Sequence, residues 1–249
     1  MFRHRRSVEG TTEPTGMELK GMKLLRLSVL LLTAMLQITA AKAQDEPEYR
    51  AEVGAGAGMQ AYQGDYGGSI SKMMQPCFGA VGKYKFNPRM AVALTIYHGK
   101  VKGELKNIST WYPQSEEIAP EFSTTLTDVN VMFEYNFFPY GTGREYRGAK
   151  PLTPFIMLGP GMVMAKIPGK SVVAGSLAIG LGAKYKVAPR LNITLDWAMH
   201  FTLSDKLDGL QDPYDIKSSG IFKNTDCYAA LRASVTYDLW AKCRTCHKE

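Results

Sequence analysis

The sequence predicts an all-β fold, an eight-stranded antiparallel up-and-down transmembrane β-barrel, on three observations. The first is a turn phrase that occurs twice, Tyr84-Lys85-Phe86-Asn87-Pro88-Arg89 and Tyr185-Lys186-Val187-Ala188-Pro189-Arg190, each closing one alternating run and opening another. Proline cannot donate to a strand ladder, so each phrase marks a tight turn between two strands. The second is the alternation itself. After the second turn, Leu191, Ile193, Leu195, Trp197, Met199 and Phe201 fall on one face, and Asn192, Thr194, Asp196, Ala198, His200 and Thr202 on the other. An apolar face of that size in water invites aggregation, so a second sheet or a bilayer must cover it. The third is an export signal. Lys20, Lys23 and Arg26 precede an apolar stretch from Leu27 to Leu36, and Ala41-Lys42-Ala43 offers small residues to a signal peptidase, which places cleavage before Gln44.

The polar stretch 1–16 lies ahead of better starts at Met17 or Met22 and takes no part in the fold. The organisation read from the chain is therefore an N-terminal extension and signal peptide at 1–43, a barrel at 44–241 and a short tail at 242–249. No segment approaches the roughly 20 apolar residues that a membrane helix needs. Crossing by strands is the remaining route.

Eight runs have the length and dyad pattern of tilted membrane strands: Glu48 to Tyr62, Met74 to Phe86, Arg89 to Lys102, Thr124 to Phe138, Leu152 to Lys166, Val172 to Val187, Arg190 to Leu203 and Thr225 to Ala241. In the fourth, Val129, Val131, Phe133, Tyr135 and Phe137 read as outward, and Asp128, Asn130, Glu134 and Asn136 as inward. In the eighth, Leu231, Val235, Tyr237 and Leu239 face out against Arg232, Ser234, Thr236 and Asp238. Arg50, Glu52, Lys83, Lys85, Lys184 and Lys186 add charges of both signs to the interior, where they need one another as partners. A soluble exported β-sandwich would need polar outward faces, and these runs lack them.

The connections alternate in length. Those after the second, fourth and sixth runs are brief or Gly-rich, whereas those after the third and seventh run about 20 residues. Outer-membrane barrels have short periplasmic turns and longer external loops. This expectation puts the short turns and both termini in the periplasm. Tyr84, Phe86, Phe137, Phe138, Tyr185, Tyr237 and Trp240 then form an interfacial girdle at that end. The Gly-rich stretches at Gly54, Gly56 and Gly58, and at Gly175, Gly180 and Gly182, suit sharp strand curvature.

The whole chain carries a formal +7, but 1–43 holds seven Lys or Arg against three Asp or Glu, which leaves the exported part near +3. That is no nucleic-acid footprint. Eight strands enclose an interior just wide enough for their own side chains, so free solute passage is not expected and neither is a small-molecule substrate.

The segment "EYNFFPYG" from Glu134 to Gly141, the turns "YKFNPR" and "YKVAPR", the run "GLGAKYK" and "LSDKLDG" from Leu203 to Gly209 resemble the PorG-like outer-membrane β-barrel family of Bacteroidetes. The resemblance spans nearly the whole exported chain. It implies a barrel in contact with outer-membrane lipid, and it implies the role of the founding member, an outer-membrane component of the type IX secretion system tied to a periplasmic ring complex. It brings no catalytic or ligand residues. The leading expectation is thus a non-enzymatic anchor for periplasmic secretion-ring proteins. The alternatives are a passive envelope barrel with a structural or hydrophobic-ligand-binding role, and a rim hydrolase.

Three local features carry possible chemistry. Arg144, Arg147 and Lys150, with Glu145 and Tyr146, lie in the longest periplasmic connection and are the candidate partner contact, set against a plain solvated turn. Cys243-Arg244-Thr245-Cys246-His247 matches the CxxCH pattern of covalent haem attachment. Only Lys248 and Glu249 follow, so no folded pocket is expected around it; the expectation is no cofactor, with adventitious metal binding or an oxidised or inert tail as the alternatives. His98 and His200 occupy nearly equivalent places in the two repeated units, where a hydrolase would combine them with Ser204, Asp205 or Asp208. No nucleophile is fixed beside either. The run from Asp205 to Gly209 lacks the spaced oxygen ligands of a calcium loop and reads as a turn.

Overall fold

The computed structural model describes residues 48–64, 73–104, 121–142, 148–167, 170–204, 207 and 225–241. Eight strands follow one another: β1 (Tyr49–Gln63), β2 (Gln75–Lys85), β3 (Met90–Glu104), β4 (Glu121–Asn136), β5 (Leu152–Ile167), β6 (Lys170–Ala188), β7 (Leu191–Thr202) and β8 (Cys227–Ala241). Each pairs antiparallel with its neighbours in sequence, and β1 closes on β8 from Tyr49↔Ala241 to Gln63↔Cys227, which makes a closed barrel. Closure removes every sheet edge. The β2–β3, β4–β5 and β6–β7 connections share one end with the start of β1 and the finish of β8; this is the terminal end. The other four connections lie at the loop end. Of these, the one between β5 and β6 is brief, 168–169.

The two repeated phrases are hairpin turns. In the first, the Asn87 carboxamide oxygen accepts from the amides of Arg89 and Met90, both at 2.8 Å, and the Phe86 amide donates to the Met90 carbonyl at 3.0 Å. This Asx geometry turns the chain where Pro88 offers no donor. The second phrase carries a register irregularity between Lys186 and Ala188.

The alternation sorts apolar from polar side chains as the sequence does. Leu94, Val131, Ile156, Leu181, Leu195 and Val235 stand exposed on the outer wall, whereas Glu52, Lys83, Asp128, Glu134, Lys184, Arg232 and Asp238 are buried inside. The girdle residues, including Phe86, Phe138, Tyr185 and Trp240, are exposed at the terminal end. Such a wall around the whole circumference needs hydrocarbon rather than water. One inward assignment changes. Arg50 has the parity of Glu52 but is exposed, because the first residues of β1 extend past the packed interior to the rim.

Glycines make room for the larger interior side chains. A Cβ at Gly182 would meet the Phe155 ring at 2.6 Å, and one at Gly180 would meet Met157 Cε at 2.6 Å. Gly182→Ala is therefore expected to destabilise the barrel by about 1–3 kcal/mol through overpacking, as measured by denaturant unfolding in lipid vesicles. An unchanged midpoint would show that both the Phe155 ring and the Leu195 carbonyl, 2.5 Å from that Cβ, yield freely.

Candidate functional site

The interior is the chemically distinctive part of the molecule, and it is layered. At the terminal end, Tyr140 of the β4–β5 connection folds across the opening. Its amide donates to the Pro88 carbonyl at 2.9 Å and its hydroxyl to Asn192 Oδ1 at 2.8 Å, while Gly141 and Lys150 tie the two limbs of the connection together. Thr142 donates through its hydroxyl to Glu48 at 2.7 Å, which fastens the same connection to the start of β1. Burial pushes the Tyr140 phenol up, and the carboxylates of Glu52, Asp238 and Glu134 add to the effect. Tyr140 is thus a neutral donor at neutral pH.

Beneath it lies a chain of ion pairs. Lys186 meets Asp238 at 2.5 Å, Asp238 meets Lys85 at 2.7 Å, and Lys85 meets Glu52 at 2.6 Å. The Thr236 hydroxyl donates to Glu52 at 3.0 Å. In the next layer Glu134 holds both Lys83, at 3.1 Å, and Lys184. The Phe155 ring underlies the two ammonium groups, with centroids 5.8 and 4.5 Å away. The groups come from β1, β2, β4, β6 and β8, so the pairing belongs to the closed barrel and not to any hairpin.

The middle layer joins Arg232 to Asp128 at 2.6 Å, with the guanidinium 4.1 Å from the Tyr97 ring centroid. Asp128 also accepts from Asn130 at 2.9 Å and from the Tyr228 hydroxyl at 3.2 Å. A cavity of about 20 Å³ adjoins this layer, lined by Thr95, Asn130, Asp196, His200 and Arg232 among others; this is room for about one water molecule. Toward the loop end the interior turns apolar: Tyr62, Val101, Leu126, Val163, Val172 and Leu207 pack together. Leu207 is buried there, its amide donating to Asp226 Oδ2 at 2.8 Å. Paired charges, aromatic rings and this plug fill the bore between the two ends.

The candidate residues fare differently. Lys150 is exposed, with its ammonium 4.4 Å from the Phe138 ring centroid. Arg144 and Arg147 lie outside the described residues, as do Cys243, Cys246, His247, Asp205 and Asp208. Among the described residues no cluster of three His, Cys, Asp or Glu side chains could hold a metal ion.

The two histidines are not equivalent. His98 faces outward, bonded to Thr127 Oγ1 at 2.8 Å and in ring contact with Phe78. His200 is buried in the interior and stacked on Tyr228 with centroids 4.5 Å apart. The wall of the barrel separates them. The parity of His98 with Leu94 and Ile96 was the available signal. Sequence reasoning also missed Tyr140 as a cover, because nothing local marks a loop tyrosine that folds back over a bore.

A family model described as outer membrane protein beta-barrel domain matches residues 28–221, which takes in β1 to β7. Solved structures similar to this chain include Ail, the attachment invasion locus protein of Yersinia pestis, at 14% identity and TM-score 0.45, covering 77% of this chain and 99% of that one. Neisserial surface protein A matches at 12% identity and TM-score 0.46, covering 76% and 97%. OprG from Pseudomonas aeruginosa matches at 10% identity and TM-score 0.42, covering 80% and 99%. No curated protein matches the chain.

Proposed function

The chain belongs to the outer membrane protein beta-barrel domain family, a barrel of the bacterial outer membrane in contact with its lipid, and on that premise we propose that it is a non-enzymatic, non-conducting anchor for a periplasmic assembly. The observation that carries this reading is the filled interior. A bore occupied by the Lys186, Asp238, Lys85 and Glu52 chain, covered by Tyr140 and plugged by Leu207, has no room for solute or substrate. Binding work then falls to the ends.

The terminal end is the side we assign to the periplasm, because two of its three connections are tight turns, the two longest connections, β3–β4 and β7–β8, lie at the other end, and the girdle stands here. The described parts of its β4–β5 connection are tied to each other and to Glu48, and Lys150 stands exposed on one limb; Arg144 and Arg147 belong to the same connection in sequence. Three cations in one connection suit an acidic partner. The resemblance to the PorG-like family names that partner class as the ring proteins of type IX secretion. The passive-barrel reading differs only in lacking a partner.

The test is affinity purification of the tagged protein from native outer membranes, with Arg144→Glu, Arg147→Glu and Lys150→Glu combined in a second strain. The expected result is co-purification of periplasmic ring proteins with the wild type and its loss from the triple variant. Recovery of the barrel alone from wild-type membranes would replace the anchor with the passive reading. Undiminished recovery of ring proteins with the variant would move the contact elsewhere.

A further inference from the structure

Cations inside this barrel are paired, but three lysines on its outer wall are not. Lys83, Lys85, Lys184 and Lys186 each meet a carboxylate. Lys100, Lys102 and Lys166 are exposed near the loop end, and among the described residues none meets an acid. The strand register collects them on one face. Lys100 of β3 lies opposite Thr125 of β4, and Thr125 opposite Lys166 of β5, with Lys102 one outward step further along β3. Two strand spacings put Lys100 and Lys166 about 10 Å apart at the backbone. Both long side chains then reach one anion between them, with the Thr125 hydroxyl at the centre. The nearest outward acids, Glu104 and Glu121, sit opposite each other about 13 Å along the strand from the Lys100 row.

The wall changes character at this row. One step toward the middle of the barrel the row holds exposed Met164 beside the outward His98–Thr127 pair, and the step below brings Ile96 and Met162, also exposed. Among the described residues on the far side, the outward positions toward the loop end, such as Val173 and Phe201, carry no charge. The basic face is therefore local, and it lies where hydrocarbon gives way to headgroups. We propose that it is a binding site for a phosphate-bearing lipid: the phosphate is held between Lys100 and Lys166 with a hydrogen bond from Thr125, and the acyl chains lie on Met164, Ile96 and Met162. The ligand needs both halves, an anionic headgroup to match the lysines and a chain to cover the apolar wall.

The test is native mass spectrometry of the intact barrel in detergent with added phosphatidic acid, or with diacylglycerol of the same chains, which lacks only the phosphate. The expected result is retention of phosphatidic acid over diacylglycerol, and an occupancy about 30-fold lower in the Lys100→Gln, Lys166→Gln double variant. Arg190→Gln, an exposed cation at the opposite end, is expected to retain wild-type occupancy. Equal retention of the two lipids, wild-type occupancy in the double variant, or an equal loss in Arg190→Gln would overturn the proposal. Competition by inorganic phosphate at the same concentration would overturn the lipid assignment in favour of a bare anion site. Heat-modified gel mobility confirms that each variant is folded.

Discussion

Glu134→Gln is expected to lower the stability of the barrel by about 3–5 kcal/mol. Glu134 is the one carboxylate bonded to both Lys83 and Lys184, and all three side chains are almost wholly buried. Removing its charge leaves two buried ammonium groups beside Phe155 without the carboxylate that both of them contact directly. Lys184→Gln removes a charge of the other sign, and its outcome differs. Glu134 keeps Lys83 at 3.1 Å, so a one-to-one pair survives and the loss is smaller. Guanidinium unfolding in lipid vesicles, followed by tryptophan fluorescence, measures both. Equal losses would mean that the layer acts through packing alone and that its charges are incidental.

The second large effect lies on the outer wall. Leu195→Arg places a guanidinium near the middle of the apolar belt, where the same assay is expected to record a loss of about 2–4 kcal/mol. Ser123→Arg, outward and exposed but close to the loop end, is expected to cost about 0–1 kcal/mol. The depth dependence is the informative part. On a surface facing water both substitutions would be nearly neutral, so a flat profile would contradict the membrane belt.

Strand positions were legible because two signals coincide. Period-two alternation fixes which residues form a run, and the Pro-containing turns fix where it stops; each predicted strand end lies within three residues of the observed one. The inward faces of β4 and β8 were legible for the same reason. The pairing inside was not. Glu134 meets Lys83 and Lys184 because β2, β4 and β6 face a common bore, and alternation along a strand says nothing about distance across it. The histidines show the limit of repeat reasoning. His98 lies ten residues after Pro88 and His200 eleven after Pro189. One residue of offset in a strand moves a side chain to the opposite face, which turned apparent equivalence into opposition. The candidate contact segment was legible only as a charge cluster, since the tie of its connection to Glu48 and the Tyr140 cover depend on strands far away in the chain.

The interior charges also bear on how the barrel is made. Asp238 belongs to the last strand, yet it holds Lys85 of the second and Lys186 of the sixth, while Glu52 of the first strand relies on the same Lys85. A sheet that has entered the bilayer without joining its first and last strands would present these groups uncompensated to hydrocarbon, where each costs several kcal/mol. Sealing the β1–β8 seam is what makes the inserted chain electrically tolerable. The same charges that occupy the finished bore thus make the closed barrel, with every strand in register, energetically distinct from a sheet that stops one strand short.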